Sequence, residues 1–185
     1  MNKKVLIGIA DGTEELEAVT IIDVLRRAEI DVTVASVAPG HQVTCSRGVQ
    51  LVADVLMGEC VDGEWDAILV PGGMPGAQNL SDSEAFVSLL KRQHEDKKTI
   101  GAICAAPYVV LACHGLLEGK SATAYPGFRE ELKTAGVTPS DEVVVIDDHV
   151  ITSQGPGTAM QFALAVVTRL CGEEVSHQVA DGLLV

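Results

Sequence analysis

Short apolar runs rich in β-branched residues alternate with helical stretches along this chain, and that alternation leaves few folds open. Lys4 to Ala10 reads as a strand buried on both faces. Asp11-Gly12-Thr13 then supplies a turn and an N-cap. Glu14, Glu15 and Glu17 fill the first turns of a helix running to about Ala28, where acidic side chains meet the positive dipole end. Leu16, Val19, Ile22 and Leu25 recur at helical spacing as its apolar stripe. The pattern repeats with Val32–Val37, Ala67–Val70 and Thr99–Ile103 as strands and Ser83–Glu95 and Ala105–His114 as helices. This is a parallel-sheet rhythm and predicts an α/β fold. Val43–Ser46 with Val49–Val52, and Val143–Ile146 with His149–Thr152, predict two hairpins. A long helix follows from about Thr158 to Leu170, stopped by Gly172, with a short helical segment to the end.

Composition narrows the function. The 185 residues are 47% hydrophobic, enough to fill one domain over 1–185 and few for two. A formal charge of -13 argues against a nucleic-acid or anionic-membrane partner, either of which needs a basic face. The sequence shows no secretory leader and no apolar run of membrane-spanning length, so a cytoplasmic protein is expected. The five cysteines are odd in number and widely spaced, without metal-ligand spacing to histidine, so neither disulfides nor zinc are expected. His41, His94, His114, His149 and His177 fall in predicted loops or helix flanks and read as solvated surface.

Cys104 stands where the apolar run Thr99–Ile103 ends and a helical pattern begins. A thiol at such a nucleophile elbow faces the free N–H groups and positive end of a helix, which favour the thiolate. A buried packing role is the alternative. Loops at the carboxyl ends of parallel strands converge on one crevice. Those loops here are Asp11–Glu17, Pro71–Gly76 and Cys104-Ala105. Pro71-Gly72-Gly73 can present bare backbone amides to an oxyanion. A protonated glutamate near the thiol would serve as general acid or base, and the spacing alone does not choose among Glu14, Glu15 and Glu17.

The segments Gly12–Glu17, Asp23–Ala28, Cys45–Val49, Pro71-Gly72-Gly73, Gly76–Leu80, Ala102–Pro107 and Thr152–Thr158 together resemble the ThiJ/PfpI superfamily, specifically its ThiJ/YajL branch. The resemblance runs nearly end to end. It implies a flavodoxin-like three-layer sandwich, mostly parallel, with helices on both faces of the sheet. It assigns Cys104 as the reactive cysteine, Glu17 as its protonated partner, and Gly72, Gly73 and Ala105 as oxyanion-type amides. Tyr125, Gln154, Gly155 and Pro156 would line the pocket, and Arg27 and Arg47 a homodimer seam that attracts an anion. It further implies a cysteine oxidisable to sulfinate, activity on methylglyoxal or glycated groups without a cofactor or metal, and oxidative-stress or chaperone roles. The chain departs from the branch's human member at Tyr125, where that protein has histidine, and at Gln154, where it has arginine. A Cys/His dyad is thereby disfavoured, and any proton relay runs through Glu17.

Other readings lack their parts. A cysteine peptidase of the PfpI type places histidine directly after the nucleophile, where Ala105 stands, and a glutamine amidotransferase requires a His-x-Glu beyond Cys104. Gly72–Gly76 lacks a dinucleotide or phosphate-loop spacing. Nothing reads as a thiazole-phosphate pocket, although that biosynthetic label attaches to the superfamily. A redox-sensing chaperone without turnover needs the same activated thiol as an enzyme and stays open beside the glyoxalase or deglycase reading.

Overall fold

A computed structural model describes residues 3–185. In chain order the elements are β1 (Lys4–Ile9), α1 (Glu15–Arg27), β2 (Asp31–Ser36), β3 (Gln42–Thr44), β4 (Gln50–Val52), β5 (Val55–Leu56), β6 (Ala67–Val70), α2 (Gly76–Ser81) and α3 (Glu84–Glu95). They continue with β7 (Thr99–Ile103), β8 (Ser121–Ala122), α4 (Arg129–Thr134), β9 (Thr138–Pro139), β10 (Val144–Asp147), β11 (Val150–Ser153), α5 (Ala159–Cys171) and α6 (Glu173–Leu183). The central sheet has the order β10-β11-β7-β6-β1-β2-β5. All its pairings are parallel except the hairpin β10–β11. The fold is the flavodoxin-like α/β sandwich.

Side-chain alternation along the strands builds two cores. Val5, Ile7 and Ile9 pack with Ala18, Ile21, Val24 and Leu25 of α1 and Phe162, Ala163 and Val166 of α5. Leu6, Ile68 and Val70 pack on the other face with Leu80 of α2, Phe86 and Leu90 of α3, and Val110 and Leu111. The sheet lies close against its helices where glycine removes a side chain: a Cβ on Gly101 would come 2.6 Å from Leu69 Cδ2 and 2.9 Å from the Phe162 ring.

Three local expectations are corrected. The cap of α1 is Glu14, whose side chain accepts from the Glu17 amide, because the Thr13 hydroxyl is already bound to the Ala10 amide at 2.9 Å. The stripe Leu16, Val19, Ile22 is not the core face of α1. Leu16 and Val19 are 52% and 46% exposed, whereas Glu15, Glu17, Ala18, Ile21, Val24 and Leu25 are buried. Third, the segment after Cys104 is no α-helix. Pro107–Leu111 forms a π-helical turn followed by a 3-10 turn over Ala112–His114. Among the described residues, no helix is long and apolar enough to cross a membrane.

Candidate active site

The carboxyl ends of β1, β6 and β7 meet as the strand order requires, and backbone hydrogen bonds stitch their loops together. The Glu14 amide donates to the Gly72 carbonyl at 2.9 Å, and the Ser46 amide to the Thr13 carbonyl at 2.9 Å. Cys104 takes φ +67, a conformation L-residues seldom adopt. It is held there on both sides: its amide donates to the Ser153 carbonyl at 3.0 Å and its carbonyl accepts from the Tyr125 amide at 2.8 Å. Gly72 is required beneath it, since a Cβ there would stand 2.6 Å from Cys104 Cβ and 2.9 Å from the Ile103 carbonyl oxygen.

Only one of the three candidate glutamates reaches the thiol. Glu14 caps α1. Glu15 turns to the β3–β4 hairpin, where its carboxylate accepts from the Ser46 hydroxyl at 2.9 Å and the Arg47 amide at 2.8 Å, and these bonds hold it below the usual carboxylate range against its burial. Glu17 is fully buried. Its Oε2 accepts from the Gly72 amide at 2.7 Å, and its Oε1 has no partner of good geometry, with the Cys104 thiol the neighbour within reach.

Burial pushes Glu17 up to about 7, against the pull of the Gly72 amide. Burial and the ionised Glu17 push the Cys104 thiol up to about 12, opposed by the amides of Gly73 and Ala105. Where the sequence reading has a helix terminus favouring the thiolate, burial and the neighbouring carboxylate push the other way, against the Gly73 and Ala105 amides. The two groups work as one unit. A thiolate forms when Glu17 carries the proton, and the carboxyl is poised to carry it at neutral pH. Gly72 is corrected as well, because its amide is committed to Glu17 and the amides facing the sulfur are those of Gly73 and Ala105.

Residues 3–169 match the model of the DJ-1/PfpI family. The chain belongs to the DJ-1/PfpI family. It is 46% identical over 182 residues to the Arabidopsis thaliana protein DJ-1 homolog B, covering 98% of this chain and 41% of that one. It therefore spans less than half the length of that relative. It is 37% identical over 173 residues to the Caenorhabditis elegans glutathione-independent glyoxalase DJR-1.2, covering 94% of this chain and 91% of that one. Oxidised Toxoplasma gondii DJ-1 superposes with a TM-score of 0.96 at 42% identity, with 98% of each chain covered.

Within this DJ-1/PfpI fold the outer pocket residues are arranged unevenly. Tyr125 is 49% exposed and its ring lies beside Gly155, where a Cβ would sit 3.4 Å from it. The Gln154 side chain is tied down by its amide, which donates to the carbonyls of Asp141 at 2.7 Å and Glu142 at 3.0 Å. Pro156 opens a 3-10 turn that leads into α5. Arg27 pairs with Asp23 at 2.9 Å and borders a hollow of about 500 Å³ between α1 and α6. Arg47 sits in the β3–β4 turn, tied through its backbone to Glu15. The clamp of Glu15 on the hairpin escaped the sequence reading, because an acidic residue in a first helical turn looks like a dipole partner whatever it binds.

Proposed function

We propose that this chain is a carbonyl-stress enzyme in which Cys104 and Glu17 convert α-oxoaldehydes such as methylglyoxal to the hydroxy acid, with glycated groups as related substrates. The observation that carries the reading is a buried carboxyl, held by one backbone amide and ionising near neutrality, beside a cysteine at a strained elbow. The relative named as a glutathione-independent glyoxalase supports it.

The chemistry balances without an electron acceptor. Glu17 holds the thiol proton while the Cys104 sulfur bonds to the aldehyde carbon, and the oxygen takes a proton to give a hemithioacetal. The carboxylate removes the hydrogen from that carbon and returns it to the neighbouring one, while the hydroxyl proton passes to the neighbouring carbonyl oxygen, so that the oxidation level moves within the substrate. The resulting thioester is cleaved by water to lactate and free thiol. The Gly73 and Ala105 amides that face the sulfur are positioned to receive developing negative charge. One carboxyl serves every proton transfer, so turnover is modest. The test is chiral analysis of lactate formed from methylglyoxal by protein freed of contaminating glyoxalases. Steady turnover lost in Cys104→Ser is expected, and turnover equal in wild type and variant overturns the proposal. Stoichiometric loss of the thiol without product would favour the redox-sensing chaperone, which the same amides support because they would also bind the oxygens of an oxidised sulfur.

We further propose a homodimer built on the face formed by α1 and the β3–β4 hairpin. Leu16, Val19, Val49 and Val52 are 52%, 46%, 48% and 71% exposed there, too much apolar surface on neighbouring elements to face water without purpose. Sedimentation at micromolar concentration tests it.

A further inference from the structure

The expectation of solvated histidines fails at His149, which is only 3% exposed. It sits in the turn between β10 and β11, at the start of the parallel pairing with β7, where its carbonyl accepts from the Ile100 amide at 2.9 Å. That is the opposite end of β7 from Cys104, about 13 Å along the strand. His149 Nδ1 lies 2.9 Å from Asp148 Oδ2, and His149 Nε2 lies 3.0 Å from Nδ1 of His94, in the last turn of α3. The two rings are tilted at 55° with centroids 4.7 Å apart.

We propose that Asp148, His149 and His94 form an acid-sensitive latch that fastens the end of α3 to the β10–β11 turn. The hydrogen count makes it so. With both rings neutral, His149 donates from Nδ1 to Asp148 and its Nε2 accepts from His94 Nδ1. With one added proton, His149 donates from both nitrogens and His94 Nδ1 becomes the acceptor. Both hydrogen bonds of the latch, His149 to Asp148 and His149 to His94, are kept in either state. A second proton sets N–H against N–H at 3.0 Å between two like charges, and the latch must part.

The surrounding charges bias the outcome. Lys120, just before β8, lies 3.7 Å from Asp148 and competes for its carboxylate, and Lys97 after α3 also faces Asp148. Glu95 on α3 and Asp148 favour a charged His94, whereas His149 and Lys120 oppose it. Asp147 is occupied by the Ser121 amide at 2.7 Å. Burial, the neighbouring His149 and Lys120 together hold His94 below the ordinary histidine value. The unfolded chain therefore takes up the proton first, and stability falls as pH drops below about 6.5 toward the folded value of His94.

The test uses the full chain. Nitrogen-edited NMR of the histidine rings between about pH 8 and 5 should show His94 titrating below the ordinary histidine value, with amide exchange at Ile100 and Val150 faster at acid pH than intrinsic rates require. The His94→Asn variant places an amide at the Nδ1 position that can donate or accept but takes no proton. Its loss of urea midpoint between about pH 7.5 and 5.5 should be about half that of wild type or less. The His149→Gln variant, without the second ring, should titrate His94 higher than wild type. An ordinary titration of His94 in the wild type overturns the latch even if neither variant folds, and an undiminished acid response in His94→Asn does so independently.

Discussion

Replacing Glu17 with glutamine removes one charge from beside Cys104 while leaving an oxygen to accept from the Gly72 amide, and the consequence for the thiol can be worked out. In the wild type, with Glu17 near 7 and Cys104 near 12, the pair gives up one proton around neutrality and keeps the other into the alkaline range. Two like charges about 4 Å apart at an effective dielectric of about 20 repel by about 4 kcal/mol, or roughly three pKa units. Without that repulsion, and with burial still holding it up, the variant thiol titrates below the wild-type value. In the wild type near neutrality the thiolate is the form in which Glu17 is protonated, a minor share that stays level from about pH 7 until the second proton begins to leave. The variant share keeps rising with pH, so at pH 9, two units above the Glu17 value, its alkylation is about fiftyfold to a hundredfold faster. Iodoacetamide labelling of Cys104, followed by mass spectrometry across pH, reads both curves. A wild-type rate that climbs steadily through pH 9, or a variant curve superposing on it, would show that Glu17 does not govern the sulfur. The Glu14→Gln variant should keep the level wild-type curve, since that side chain is spent on the helix cap.

The same substitution should alter stability, because an acid raised in the folded state costs stability as pH climbs from about 4.5 to 7. Glu17→Gln should be more stable than wild type by up to about 3 kcal/mol at pH 8 and lose the advantage below pH 4.5, by urea unfolding. Glu15 is shifted the other way, so its contribution is intact above about 4.5 and fades as pH falls through its lowered value; Glu15→Gln should cost about 1–3 kcal/mol at pH 7 and flatten the acid limb of the stability curve. Phe162→Ala should cost about 3–5 kcal/mol in the same assay, as the ring is fully buried between α5 and β7 against Gly101; a loss under about 1 kcal/mol would contradict that packing. Leu16→Asp should turn the proposed dimer into a monomer in sedimentation without unfolding it, and an unchanged sedimentation profile would remove α1 from the interface.

The strand and helix rhythm was legible in the sequence, because the parallel strands β1, β6 and β7 are buried on both faces and are written as nearly unbroken apolar runs. The sequence also determined which loops share a crevice, and it placed Cys104 at the end of β7. It could not rotate α1. Leu16, Val19 and Ile22 make as good a helical stripe as Ala18, Ile21 and Val24, and only contact with the sheet and α5 selected the second. That rotation is also what separates three nearly adjacent glutamates, sending Glu14 to the cap, Glu15 to the hairpin and Glu17 beneath Gly72. The ionisation of Cys104 was beyond the local sequence for the same reason. A helix dipole is a property of neighbours along the chain, whereas desolvation and the Glu17 charge come from residues far apart in sequence. His149 closes the comparison, since a polar residue in a turn reads as solvated until the end of α3 is laid across it.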